Sequence, residues 1–256
     1  MTRRVLLSWS SGKDSAWTLH RLRDDPQVEL VGLLTTFNAA ADRVAMHAVR
    51  RELVAAQAAA AGLPLWAVEL PWPCANEDYE RLMAAACARA REQGVTHVAF
   101  GDLYLADVRT YRERQMADTG LQPLFPLWGG PEATPTLARQ MLAAGLRATL
   151  TCVDTRQLAA DFAGREFDES LLAGLPAAVD PCGERGEFHT FCWAGPMFER
   201  PIAVRAGPMV EREGFRFADL LPAPTPLRGR VKSRPREAGP GSNEARPDLP
   251  RPLSAS

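Results

Sequence analysis

The fold is decided near the N-terminus by the stretch VLLSWSSGKDS, residues 5–15. The apolar run from Val5 to Trp9 predicts a short buried strand, and apolar residues at helical spacing after Ser15 predict a helix. Between them lies the polar, glycine-containing segment 10–15. At such a turn, backbone N–H groups and the positive end of the helix converge on one point. The sequence therefore predicts a phosphate-binding loop at this position.

Strand and helix patterns alternate through the rest of the first half. Further strands are predicted at Val28–Phe37, Leu65–Leu70 and Val95–Phe100, and helices at Arg50–Ala61 and Asp78–Gln93. This alternation predicts an α/β fold with a parallel sheet and helices on both faces. Ligands of such sheets bind beyond the carboxyl ends of the strands. The loop 10–15 and the pair Gly101-Asp102 both follow strands, so we expect them at one site.

The pattern divides the chain into three parts. Residues 1–120 are predicted to form the nucleotide-binding domain. From residue 121 to 221, short strands, a helix and a turn-rich polar segment predict a smaller α+β domain. Residues 222–256 consist mainly of Pro, Arg, Gly and Ser, so they are predicted to be a disordered tail with too few apolar residues to bury.

Composition narrows the class of protein. The formal net charge of −1 shows no basic excess, which disfavours a nucleic-acid partner. We find no secretory signal pattern and no apolar stretch long enough to cross a bilayer, so a cytoplasmic location without membrane contact is expected. Five scattered cysteines without a C-x-x-C pair argue against a disulfide framework.

Each residue type in the loop suits a phosphate ligand. Gly12 lets the backbone approach closely, Lys13 can neutralise charge, and Asp14 can hold Mg²⁺. The predicted ATP-binding residues are Ser8, Ser10, Ser11, Gly12, Lys13, Asp14, Ser15, Thr35, His47, Gly101 and Asp102. The Walker A signature is absent, because no glycine lies five residues before Gly12 and Asp14 follows the lysine.

The segment Ser10–Ser15 resembles the Ser-Gly-Gly-Lys-Asp-Ser motif of the PP-loop ATP pyrophosphatases. Ser11 replaces the first glycine, and a serine resists the positive φ that glycine accepts there. The resemblance implies a Rossmann-like nucleotide domain that cleaves ATP to AMP and pyrophosphate after an acceptor oxygen attacks the α-phosphate. Kinases differ, since they transfer the γ-phosphoryl group.

Later segments resemble the diphthine–ammonia ligase family. They are Gly101–Tyr104, Asp107–Arg109, Tyr111–Glu113, Pro126–Trp128, Asp180–Glu184 and Gly186–Phe191. The resemblance covers about residues 5–198. It implies that a substrate carboxylate becomes an acyl-adenylate and that ammonia then displaces AMP to give an amide. ATP, ammonia and a carboxylate substrate are thus the expected partners, and a homodimer suits this kind of protein.

The segment 180–190 supplies the remaining candidate catalytic residues, besides Lys13 and Asp14. Glu184 and Glu187 could orient ammonia or accept its proton, with His189 as a further candidate. The same carboxylates could instead be solvated turn residues, and His189 could serve only as a structural hydrogen-bonding group. A metal site built on Cys182, His189 and Cys192 is disfavoured, because no fourth ligand is evident and the spacing matches no usual zinc pattern.

Two other functions stay open at this point. A PP-loop tRNA-modifying enzyme is one, although the absence of C-x-x-C and of basic excess speaks against sulfur transfer to tRNA. A non-catalytic adenine-nucleotide sensor on the same fold is the other. The intact Lys13-Asp14-Ser15 and the polar second segment favour catalysis.

Overall fold

The computed structural model describes residues 2–44 and 48–224. Two sequence predictions fall beyond this range. His47, a candidate nucleotide contact, lies outside the described residues, as does nearly all of the predicted disordered tail, from residue 225 onward. Both predictions therefore stay untested.

Within the described residues the first sheet has six strands. They are β1 (Arg3–Ser8), β2 (Val28–Asn38), β3 (Arg43–Val44), β4 (Leu65–Leu70), β5 (His97–Ala99) and β6 (Gln122–Leu124). The strand order is β3-β2-β1-β5-β6, and β4 also pairs with β2. Every pairing is parallel except that of β2 with β3. The prediction of a parallel α/β sheet is confirmed.

Helices connect these strands and continue into the second half. They are α1 (Lys13–Arg23), α2 (Arg51–Ala60), α3 (Asn76–Glu92), α4 (Ala106–Ala117), α5 (Thr134–Ala143) and α6 (Glu169–Gly174). The sequence patterns placed α1, α2, α3 and α5 within a few residues of these bounds. The pattern did not predict α4, because it is polar nearly all round and buries only Met116 among its twelve residues.

The second half forms a separate antiparallel sheet. Its strands are β7 (Arg147–Asp154), β8 (Phe188–Ala194), β9 (Val204–Arg212) and β10 (Phe215–Pro222), in the order β8-β7-β10-β9. The predicted short strands near residues 202 and 215 are the two arms of the long β9–β10 hairpin, which turns at Glu213-Gly214. Part of the polar segment 180–190 also belongs to this sheet, since β8 begins at Phe188.

One hydrophobic core joins the two sheets. Leu7 and Leu33 of the first sheet lie in the same buried cluster as Leu150 and Phe191 of the second. All described residues fall within one compact unit. Strand β6 continues the first sheet beyond residue 120, and the domain boundary predicted there stays a prediction.

An ion-pair cluster ties β10 to the segment between β3 and α2. Asp219, whose side chain is 11% exposed, accepts from the Arg43 guanidinium at 2.9 and 3.1 Å and from Arg50 Nη2 at 2.7 Å. Burial alone raises the pKa of Asp219, but the hydrogen bonds from both arginines outweigh this and lower it. The cluster thus ties β3 and the residue that precedes α2 to β10.

The sheet order places the predicted loop at a switch point. Strand β1 lies between β2 and β5: the chain builds outward on the β2 side first and then crosses back to place β5 on the other side of β1, which opens a crevice at the carboxyl ends. Gly101, just after β5, packs against the start of α1. A Cβ at this glycine would lie 3.1 Å from the backbone nitrogen of Ser15, so a larger residue would require the start of α1 to shift by a few tenths of an ångström.

Candidate active site

The loop between β1 and α1 adopts the shape that its motif requires. Ser11 has a φ of 72°, in the left-handed region that usually selects glycine. The loop is also closed by its own side chains, since Ser15 Oγ donates to the carbonyl oxygen of Gly12 at 3.0 Å and Ser10 Oγ lies 3.2 Å from Ser15 Oγ. Ser11 is fully buried, and its Oγ has no hydrogen-bond partner among the described residues. A buried hydroxyl without a partner is consistent with a loop in which a bound ligand would supply the missing hydrogen bond.

Lys13 places a buried positive charge beneath this loop. The residue is 1% exposed, and its Nζ donates to both carboxylate oxygens of Asp14 at 2.9 and 2.8 Å and to the carbonyl oxygen of Cys182. The rings of Phe167 and Phe188 lie 5.6 and 5.4 Å from the ammonium. Burial by itself lowers the pKa of Lys13, but Asp14, Cys182 and Glu184 together outweigh this, so the pKa is raised and the group stays charged.

Strand β8 of the second sheet forms one wall of the loop. The backbone N–H of Lys13 donates to Thr190 Oγ1 at 3.0 Å, and a Cβ at Gly12 would lie 3.2 Å from the carbonyl oxygen of Thr190. The N–H of Cys192 donates to the carbonyl oxygen of Ser11 at 2.9 Å. The phosphate loop is therefore shaped by residues nearly 180 positions later in the chain. The sequence analysis did not assign Thr190 a role, although it lies inside the quoted motif.

Residues 180–187, called the acidic loop below, bring a second set of groups to the same place. Glu184 Oε1 accepts from the backbone N–H groups of Leu103 at 2.7 Å and Tyr104 at 3.3 Å. Burial raises the pKa of Glu184 to about 7; the Leu103 N–H opposes this shift, and the charges of Asp14 and Asp102 add to it. A carboxyl group that titrates near neutrality is suited to accept and release protons.

Glu187 has a different environment. It is 1% exposed, and Oε1 accepts from the backbone N–H of Asp180 at 2.9 Å and from Arg185 Nε at 3.0 Å, while Oε2 accepts from the N–H of Arg185 at 2.9 Å. Both oxygens are thus engaged within the acidic loop. Glu187 therefore holds the acidic loop together through its own backbone and Arg185.

Asp180 anchors the acidic loop to the rest of the protein. Its Oδ2 accepts from Tyr104 Oη at 2.8 Å and from Thr134 Oγ1 at 3.1 Å, and its Oδ1 accepts from the N–H of Cys182 at 2.6 Å. Burial raises the pKa of the Cys182 thiol, which disfavours the thiolate. No group of three or more His, Cys, Asp or Glu residues within 2–44 and 48–224 is arranged to hold a metal ion.

Asp102 and Arg112 form a second charged pair after β5. Arg112 Nε lies 3.5 Å from Asp102 Oδ2, and both atoms are buried without a hydrogen-bond partner in the described part of the chain. Burial raises the pKa of Asp102, and Arg112 opposes the shift. Arg109, in contrast, pairs with Glu113 at 2.8 Å on the helix surface. Of these two arginines, Arg112 is therefore the one that lines the crevice.

A cavity of about 320 Å³ extends from the loop along the carboxyl ends of the strands. Ser8 and Ser10 line it together with Thr36, Phe100 and Arg112. Thr35, the residue predicted to contact the nucleotide, lies on the opposite face, where its Oγ1 donates to the carbonyl oxygen of Trp9 at 2.9 Å. Side chains alternate along a strand, so the neighbouring Thr36 faces the cavity instead.

A larger cavity of about 780 Å³ adjoins the first and shares Val44, Leu70 and Tyr79 with it. It opens between the two sheets and is lined by aromatic side chains, among them Trp72 and Phe217, and by His189. Burial, and then the charge of Lys13, lower the pKa of His189 to about 4, so its imidazole is neutral near pH 7. The structure thus brings Lys13, Asp14 and Glu184 together and turns His189 toward the neighbouring cavity.

The fold and this site define an α/β protein with a glycine-containing loop between β1 and α1 at the switch point of its parallel sheet. Comparison with known proteins identifies the family. The family model of the diphthamide synthase N-terminal domain matches residues 3–123, and that of the diphthamide synthase C-terminal domain matches residues 133–218. The chain belongs to this diphthamide synthase, or diphthine–ammonia ligase, family.

A curated relative agrees with this assignment. A diphthine–ammonia ligase of Danio rerio is 28% identical to the chain over 238 residues, which cover 85% of this chain and 92% of the relative. Membership supports a ligase that uses ATP. Within the part of the chain that the structure describes, none of the helices has the length and apolar character needed to cross a membrane.

Proposed function

We propose that the protein adenylylates a substrate carboxylate with ATP and then forms an amide with ammonia. The observation that carries this proposal is the contact between the phosphate loop and the acidic loop. Lys13 reaches from the first to the carbonyl oxygen of Cys182 in the second, and Glu184 lies close enough for the charge of Asp14 to influence its pKa. Nucleotide chemistry and proton transfer can therefore occur at one place.

In the first step, a carboxylate oxygen of the acceptor attacks the α-phosphorus of ATP. A new O–P bond forms, the bond to the β-phosphate oxygen breaks, and pyrophosphate leaves with the electron pair. The loop N–H groups, the N-terminus of α1 and the Lys13 ammonium would stabilise the negative charge that develops on the leaving group. Asp14 and the carbonyl oxygen of Cys182 hold the Lys13 ammonium beside the loop before the reaction, and one of these contacts would be exchanged for the phosphates.

In the second step, ammonia attacks the carbonyl carbon of the acyl-adenylate. A C–N bond forms, the C–O bond to AMP breaks, and AMP departs as the anion. The attacking nitrogen must lose one proton, and Glu184 is the group proposed to accept it. Its pKa of about 7 allows it to be ionised before the attack and protonated after it.

Asp14 is the residue proposed to hold Mg²⁺. The Asp14 side chain is 27% exposed at the loop, and proteins often hold Mg²⁺ through one or two carboxylates together with substrate phosphates. Both carboxylate oxygens accept from Lys13 in this structure, so metal binding requires that pair to separate at least partly. When bound, the ion would supply charge neutralisation for pyrophosphate.

The acceptor is proposed by class only. The Danio rerio relative is named for diphthine and ammonia, and we carry over ammonia as the nitrogen donor and a carboxylate as the acceptor. The larger cavity beside the nucleotide crevice is the proposed acceptor site, because it adjoins the crevice and has apolar walls with few polar groups. It could take a small molecule or a protein side chain.

The test is the identity of the nucleotide product. The protein would be incubated with α-labelled ATP, Mg²⁺, ammonium and a desalted pool of cellular carboxylates, beside Asp14→Ala as control. AMP and pyrophosphate that form with the wild type and not with the variant would support the proposal. ADP would contradict it and indicate phosphoryl transfer. ATP binding without turnover in any acceptor pool would favour the sensor function.

A further inference from the structure

Gln57 is a fully buried amide on an otherwise apolar helix face. Its neighbours on that face of α2 include Leu53, Val54 and Ala58. Its Nε2 donates to the carbonyl oxygens of Ser11 at 3.0 Å and Cys192 at 2.6 Å. A polar side chain at such a position destabilises a core unless its hydrogen bonds are made, and here both amide hydrogens are used.

The orientation of this amide is fixed by its partners. The indole Nε1 of Trp9 can only donate, and it donates to Gln57 Oε1 at 2.9 Å. The carbonyl oxygens of Ser11 and Cys192 can only accept, so they must face Nε2. A flipped amide would lose all three hydrogen bonds, and the network therefore admits one orientation.

The network acts on the one residue that strains the phosphate loop. Ser11 has a φ of 72° although it carries a Cβ, a conformation that costs free energy for residues other than glycine. Its carbonyl oxygen accepts two hydrogen bonds, from Gln57 Nε2 and from the N–H of Cys192. These bonds fix the plane of the Ser11–Gly12 peptide, and with it the direction of the Gly12 N–H in the loop.

We propose that Gln57 is a positioning residue that holds the phosphate loop in its anion-binding shape despite the serine at position 11. The inference rests on the proposed use of this loop for ATP. Gln57 compensates for the missing glycine by satisfying the Ser11 carbonyl, and it links the loop to β8 through Cys192. If Gln57 only filled the core, its replacement would change stability and leave ATP affinity unchanged.

The first experiment separates these roles with Gln57→Met, which conserves volume but cannot donate. ATP affinity is measured by calorimetry and stability by thermal unfolding, beside the control Met141→Ala, a buried residue on α5 away from the loop. We expect Gln57→Met to weaken ATP binding at least tenfold, while Met141→Ala lowers the Tm and keeps the affinity within twofold. Affinity within twofold for Gln57→Met would overturn the proposal.

A second pair of variants tests the link to Ser11. In a Ser11→Gly background, glycine adopts the positive φ without help, so Gln57→Met should weaken binding less than threefold. An equal loss in both backgrounds would contradict the compensation.

Should Gln57→Met fail to fold, Gln57→Asn provides a second test. Asparagine retains the amide but is one methylene too short to reach all three partners, so it should show the same tenfold loss. Wild-type protein that binds no ATP would overturn both this inference and the proposed function, whereas normal wild-type binding with an unaffected variant counts against this inference alone.

Discussion

The ammonium of Lys13 donates a hydrogen bond to the carbonyl oxygen of Cys182, which lies 169 residues further along the chain. This bond joins the loop between β1 and α1 of the parallel sheet to the acidic loop, which lies between β7 and β8 of the antiparallel sheet. The lysine is also enclosed by the rings of Phe167 and Phe188, both from the second half. The second half therefore determines where the charge of the phosphate loop is held.

Lys13→Met is expected to lower ATP turnover by about 10²–10³-fold, because one preorganised charge is lost from the transition state. It should also lower the free energy of unfolding by roughly 1–3 kcal/mol, since the Cys182 carbonyl and the Asp14 carboxylate lose their shared donor. Steady-state assays and urea denaturation measure the two effects. Lys13→Arg is the matched control that retains the charge. Unchanged turnover in the methionine variant would rule out a catalytic role for the ammonium.

Glu184→Gln is expected to bind ATP normally and to form amide about 10²–10⁴-fold more slowly, because the proposed proton acceptor is gone. The pH dependence gives a sharper test. With unprotonated ammonia held at constant concentration, wild-type amide formation should rise with pH to a plateau above about pH 7, as Glu184 ionises. The variant should lack this rise. A wild-type profile that is flat between pH 5.5 and 8 would exclude Glu184 as the base.

The same carboxyl group predicts a pH dependence of stability. The pKa of Glu184 is raised in the folded protein from its ordinary value of 4.5 to about 7. Its stabilising contribution is therefore fully present below pH 4.5 and is lost as the pH rises through 7. As the pH rises from 4.5 through 7, the Tm of the wild type should therefore fall relative to that of Glu184→Gln. A constant difference would show that Glu184 ionises at its ordinary pKa.

Glu187→Gln is expected to behave differently from Glu184→Gln. An amide nitrogen in place of either oxygen would face an N–H donor of Asp180 or Arg185, so the acidic loop should lose order. ATP binding, amide formation and Tm should then fall together. Normal ATP binding with a selective loss of amide formation would instead support the catalytic role considered for Glu187 in the sequence analysis.

Asp219→Asn is expected to destabilise the protein by about 1–3 kcal/mol, because two arginines lose a nearly buried carboxylate partner. The pKa of Asp219 is lowered in the folded protein, so its contribution is present above its ordinary pKa of 3.8 and disappears as the pH falls through the lower folded value. Urea denaturation of the wild type and the variant at pH 7 and at pH 3 measures the destabilisation and its pH dependence. A difference between variant and wild type that is as large at pH 3 as at pH 7 would contradict this assignment.

The repeating pattern of the first half was sufficient to predict its architecture. Strand β1 has a continuous buried apolar run, whereas β4 alternates buried and exposed residues, and both patterns are signals of a strand. The glycine-containing loop was recognised from the order strand, loop and helix. Helix α4 carries no such signal, because its stability depends on tertiary contacts and not on an apolar stripe.

The details of the site required the three-dimensional structure. Glu184 and Glu187 occupy the same segment, and only the positions of nearby N–H groups distinguish them: Glu184 accepts from the backbone after β5, whereas both oxygens of Glu187 accept within the acidic loop. Thr35 and Thr36 are adjacent in β2, so their side chains lie on opposite faces of the sheet and only Thr36 lines the cavity. Gln57 was missed because a lone amide in an Ala-rich helix has no visible partner in the sequence, although a polar residue on an apolar face is itself a signal.

The hydrogen bond from Cys192 to Ser11 has a consequence for synthesis of the protein. Chains grow from the N-terminus at roughly 5–20 residues per second, so Ser11 leaves the ribosome roughly ten seconds or more before Cys192. During that interval the first sheet can form, but β8 is missing and the Ser11 carbonyl lacks one of its two donors. A nascent chain therefore carries an incomplete nucleotide loop, and its competence for ATP is delayed until translation has passed the second sheet.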